Sequence, residues 1–157
     1  MTRFVALLTA LVVAATACSD DGATDDGPRA IPTGCGLPTP EASIDDSLVP
    51  AEWVTEGAEL TSASRGKGRL VFGLNVPFSV VEVLRRYREI VLELGFEVVS
   101  IDNEVFEAEV YFERDRRVGA IQIRRSGCDD ASAAFVSVVN IRSLQNQPAL
   151  SPTPAGT

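Results

Sequence analysis

Glu107, Glu109, Tyr111 and Glu113 stand at alternate positions. On an extended strand such residues share one face, about 7 Å from one to the next. Paired carboxylates at that separation are the donor set of glycoside hydrolysis. Arg124 sits where it neutralises Glu107, and no run of aromatic residues suggests a sugar cleft, so a solvated strand face is the simpler expectation. A second candidate is Arg65-Gly66-Lys67-Gly68-Arg69, in which Arg65, Lys67 and Arg69 form a possible anion contact. It lacks the GxxxxGK[ST] spacing, and a strand pattern follows it instead of a helix, so a basic hairpin turn is expected. Histidine is absent from the chain. That removes the commonest general base, the Ser–His and Cys–His nucleophile systems and most catalytic zinc sites. Asp20-Asp21 and Asp25-Asp26 lack the EF-hand spacing for calcium. No catalytic residue, metal or cofactor is therefore assigned. A carboxylate-dependent hydrolase is the residual enzymatic reading.

The elements that carry these residues read as one pattern. Leu70, Phe72, Leu74 and Val76 alternate with smaller or polar residues up to Pro77, as a half-buried strand does. A shorter strand at 58–63 precedes it across the 64–68 turn. Ser79 and Glu82 then make a capping box, with Phe78 and Val83 as its hydrophobic staple. Val80, Leu84, Tyr87, Val91 and Leu94 fall on one helical face, and Gly95 is the stop. Glu82–Arg86 and Arg85–Glu89 are spaced as i,i+4 pairs on the other face.

Four strands are expected at 96–101, 105–113, 118–125 and 133–142. The four residues Arg114 to Arg117 between two of them set a register. It places Glu107 opposite Arg124, Glu109 opposite Gln122 and Tyr111 opposite Ala120 on a polar face. Ala108–Ile123, Val110–Ile121 and Phe112–Gly119 then share an apolar face. The fold class is α+β: a hairpin, one amphipathic helix, then an antiparallel meander, in two layers. The helix, Phe72, Phe106, Val110, Phe112, Ile121 and Phe135 or Ile141 are expected to fill the interface, with Trp53 in support.

The formal charge is −8, but residues 19–48 hold seven acids against the single base Arg29. The acidity thus belongs to a leader, and the body is nearly balanced. Without a basic stripe, nucleic acid is not an expected partner. Residues 18–48 read as an acidic flexible tether, 49–145 as a single α+β domain and the Pro-rich 146–157 as a disordered tail.

The amino terminus supplies the address. Met1-Thr2-Arg3 is a short positive head, residues 4–15 are apolar and uncharged, and Ala15-Thr16-Ala17-Cys18 ends the run. This order is an export signal. It resembles the lipobox of bacterial lipoproteins over residues 1–20. The resemblance implies removal of residues 1–17, a lipid on Cys18 and attachment to the cell membrane, facing the outside or the periplasmic space. The alternative is an ordinary secretory signal cut after Ala17. If Cys18 carries lipid, Cys35 and Cys128 remain as an even pair in an oxidising compartment, and a disulfide between them is expected. Two separate thiols are the alternative. The loop so closed is long enough for about 4–5 kcal/mol in the chain-entropy picture.

Together these features point to a lipid-anchored, non-enzymatic accessory protein of the cell envelope. Its small α+β domain would meet a protein or wall component through Glu107, Glu109, Tyr111, Gln122 and Arg124. The alternative is a carrier that holds a lipid or small apolar ligand between helix and sheet, lined by Phe72, Gly73 and Tyr87.

Overall fold

Ser79 sets the start of helix α1 (Val80–Glu93), for the reason its neighbours suggest. The Ser79 hydroxyl accepts from the Glu82 backbone N–H, and Glu82 accepts in return from the Ser79 N–H at 3.1 Å. Two otherwise unpaired amides are thereby satisfied. The Ser79 contacts, foremost its side-chain hydrogen bond, hold the Glu82 carboxyl below its ordinary range. Glu82 also approaches Arg29 at 4.0 Å rather than pairing with Arg86, whose guanidinium stacks over the Phe78 ring at 3.9 Å. Arg85 and Glu89 do pair, at 3.3 Å. The helix ends in a Schellman motif: Gly95 adopts φ 74°, its N–H donates to Leu92, and the Phe96 N–H donates to Val91.

The computed structural model describes residues 29–142. The signal segment 1–17, Cys18 and the 146–157 tail lie outside the described residues. Strands β1 (Glu59–Gly66), β2 (Arg69–Val76), β3 (Glu97–Asn103), β4 (Glu107–Arg114), β5 (Arg117–Arg125) and β6 (Ser132–Asn140) form one antiparallel sheet in the order β1-β2-β6-β5-β4-β3. The fold is α+β, with α1 laid on one face of the sheet. β4 and β5 pair in the expected register, from Glu107 opposite Arg124 to Glu113 opposite Val118. Among the described residues no helix is long and apolar enough to cross a membrane.

The core lies between α1 and the sheet. Val80, Val83, Tyr87 and Val91 meet Phe72, Leu74, Val110, Phe112, Ile121, Ile123 and Val136, all fully or almost fully buried. Trp53, in a 3₁₀ turn (Ala51–Trp53), closes one end, its ring 5.7 Å from Phe112 and 6.0 Å from Phe96. Gly119 lies opposite Phe112, whose ring occupies the space a Cβ at Gly119 would need.

Two expected core aromatics are not there. Phe106 is 65% exposed because it falls in the β3–β4 turn, outside either strand. Phe135 is 43% exposed because its neighbours Ala134 and Val136 take the helix side of β6. The register fixes that parity, since Val136 pairs with the buried Ile121 and Phe72.

The Cys35–Cys128 disulfide is present, with Cα atoms 5.2 Å apart. The segment after Cys35 is held to the sheet. The Gly127 N–H donates to the Cys35 carbonyl, the Asn75 side chain donates to Pro38 at 2.9 Å, and the Glu41 N–H donates to Thr61 on the outer edge of β1. The packed body therefore includes residues ahead of position 49, where the sequence pattern places its start. Those residues look like a tether because their anchorage is made by backbone groups, which leave no apolar pattern.

Candidate functional site

The sheet face opposite α1 carries the residues singled out for partner contact. Strand pairing lines up Gly73, Phe135, Gln122, Glu109 and Asp102 in one row across five strands. Beside it run Asn75, Ala133, Arg124 and Glu107 on one side and Val71, Ser137, Ala120 and Tyr111 on the other. Glu107, Glu109, Tyr111, Gln122 and Arg124 thus share this face, as the alternation predicts.

The polar groups of the face bind one another. Glu109 accepts from the Tyr111 hydroxyl at 2.5 Å and from the Gln122 amide at 2.7 Å. Arg124 approaches Glu107 at 3.7 Å. The Tyr111 hydrogen bond, then that of Gln122, lowers the Glu109 pKa, and the same bond raises that of Tyr111. A general acid of a glycosidase needs the opposite shift, upward from the carboxylate range. Glu109 is built as a fixed acceptor.

Next to this frame is an open trough of about 430 Å³, lined by Pro38, Thr61, Gly73, Gln122, Arg124 and Phe135. Gly73 is required there, since a Cβ would come within 2.6 Å of the Thr61 hydroxyl. Gln122 and Arg124 join the trough, whereas Glu107, Glu109 and Tyr111 lie beyond its lining. The sequence pattern misses Phe135 and Pro38. The signal for Phe135 was its odd parity against Ala134 and Val136 on β6.

Phe72, Gly73 and Tyr87 do not line a common gap. Phe72 and Tyr87 are fully buried on the helix side, and Gly73 opens on the other face. The Tyr87 hydroxyl donates to the Trp53 carbonyl at 3.3 Å, and burial pushes its phenol well above the usual range.

The basic turn occupies a different region. Lys67 and Gly68 form the two-residue β1–β2 turn, with φ 48° and 75°. Arg65 and Arg69 line a cleft of about 490 Å³, joined by Arg114 and Arg117 from the β4–β5 turn; Lys67 is not part of the lining. Among the described residues no group of three or more His, Cys, Asp or Glu side chains is placed to hold a metal. Comparison of the chain with protein-family models, with curated proteins and with solved structures returns no match, so the site rests on this molecule's own geometry.

Proposed function

We propose that the protein is a lipid-anchored, non-enzymatic accessory protein of the cell envelope, held by Cys18, whose open sheet face docks a protein partner. The observation that carries this is the pair Tyr111 and Phe135, 42% and 43% exposed on a face whose polar groups are already hydrogen-bonded to each other. Solvated aromatic side chains on a rigid sheet lose little entropy when covered, and buried aromatic anchors inside a polar rim dominate the energy of protein interfaces. Glu107, Glu109, Gln122 and Arg124 supply such a rim, and the trough beside Phe135 gives room for a partner side chain. The close packing of Phe72 and Tyr87 counts against the carrier alternative.

The test compares wild type with Tyr111→Ser/Phe135→Ser, both expressed as the full chain and cross-linked in intact envelopes. A partner linked to wild type and reduced at least about ten-fold in the double variant is expected, since losing each anchor costs roughly 2 kcal/mol. Equal capture by both versions, or none by either, overturns the docking face. Cys18→Ser in the same cells moves the protein out of the membrane fraction. Retention there overturns the anchor.

A further inference from the structure

We infer that the arginine-lined cleft at the turn end of the sheet binds a phosphoryl group, carried by a soluble phosphate ester or by an anionic phospholipid headgroup. Neither turn suggests this by itself. Arg65 and Arg69 flank the β1–β2 turn, Arg114 and Arg117 close the β4–β5 turn, and the strand order brings both turns to one end of the sheet. The chain leaving β6 ties them together: the Asn140 N–H donates to Gly68 and the Ile141 N–H donates to Arg116, each at 2.8 Å. The spacing of the four arginines is therefore set by backbone hydrogen bonds.

The positive charge at this cleft is only partly compensated. Among the described residues Arg65, Arg69 and Arg117 form no ion pair. Arg114 lies 3.9 Å from the exposed Asp115 and donates at 2.6 Å to the Leu94 carbonyl at the end of α1. Glu52 is the one carboxylate of the lining. Guanidinium groups stay charged at any physiological pH and present planar forks that match phosphate oxygens. With Glu52 and Asp115 set against the four guanidinium groups the surplus is two charges, and a lone carboxylate ligand brings only one. A phosphate monoester brings up to two charges and three acceptor oxygens, and a bilayer of phosphodiester headgroups brings single charges side by side, so either meets the surplus better. Behind the arginines Leu70, Val138, Trp53 and Phe96 supply apolar wall for the rest of the ligand. The volume suits a small molecule. The inference stands apart from the docking face on the other side of the sheet.

Trp53 is the only tryptophan of the chain and lines this cleft, so its emission reports occupancy directly. The full chain is titrated with inorganic pyrophosphate and, separately, with phosphatidylcholine vesicles with and without phosphatidylglycerol. A saturable emission change is expected, at least about ten-fold weaker in Arg65→Gln/Arg117→Gln and unchanged in Lys67→Gln. A response to pyrophosphate assigns a soluble ester. A response confined to phosphatidylglycerol vesicles assigns the headgroup. Melting of the variant checks its fold, and the single Arg65→Gln carries the same test with a smaller loss should the pair lower it. No saturable response in either arm, or an equal response in the arginine variants, overturns the site.

Discussion

On the open sheet face Glu109 is held by Tyr111 and Gln122, and Glu107 lies beside Arg124. At the turn end Arg65, Arg69 and Arg117 line a cleft and themselves form no ion pair among the described residues. The difference follows from where each group sits on the sheet. A residue inside a sheet face has a cross-strand neighbour at a fixed distance, and opposite or hydrogen-bonding partners there satisfy it. A residue at a hairpin end has neighbours on one side and solvent on the other. Charge on the face is spent on local order, while charge at the turns remains open to a ligand. The two regions differ also in their response to salt. The contacts of the face are short, whereas attraction to the cleft acts over several ångströms and is screened within about 8 Å at physiological ionic strength.

Breaking the disulfide separates the two regions most strongly. Cys35→Ser/Cys128→Ser lowers stability by about 4–5 kcal/mol in the chain-entropy limit, measured by urea unfolding. In the folded fraction, amide exchange quickens at Glu41, whose N–H loses the Thr61 carbonyl, while Trp53 emission holds its wavelength. An equal disturbance at both places would mean that the regions are coupled. Gly119→Ala comes next, at about 1–3 kcal/mol, because its new methyl overlaps Phe112 and falls 2.7 Å from the Ser137 carbonyl. Phe112 touches Trp53, so here the emission shifts and the cleft wall feels a change made in the sheet.

The smallest effect is a titration. Tyr87 and Tyr111 are the only tyrosines, and both phenols are raised, by burial and by the Glu109 hydrogen bond respectively. Ultraviolet titration at about pH 10, where free tyrosine is half ionised, gives less than half the phenolate signal. Glu109→Gln brings the Tyr111 step down and leaves Tyr87 alone. The signs for stability are opposite. Tyr111, raised, contributes below its unfolded pKa and loses that contribution as pH rises through its folded value. Glu109, lowered, contributes above its unfolded pKa and loses it as pH falls through its folded value, below the ordinary carboxylate range.

What could be read from the chain in advance was what is local. The Ser79–Glu82 capping box, the Gly95 stop and the Glu107-to-Glu113 register depend on residues a few places apart, and each stands where the pattern puts it. The insertion of β6 between β2 and β5 is non-local, and with it the side on which Phe135 falls. β6 reads as small and apolar on both faces, so only its pairing with Ile121 and Phe72 decides which face is covered. The cleft was half visible for the same reason. Arg65 and Arg69 announce a basic turn, but Arg114 and Arg117 join it only through the strand order. Of the attachment of residues 35–41 only the Cys35–Cys128 bond could be read in advance, because the remaining contacts are made through the backbone groups of this segment.

The Cys35–Cys128 bond also fixes how this molecule carries force. It closes a ring of chain that contains β1 through β5 and α1, leaving β6 alone outside among the strands and α1. A pull applied at the two ends enters at Cys35, crosses the sulfur bridge and leaves through β6. The other five strands and the helix are bypassed. β6 is already extended between β2 and β5, so the tension runs along its own covalent backbone, and the hydrogen-bonded ladders on either side of it are not sheared.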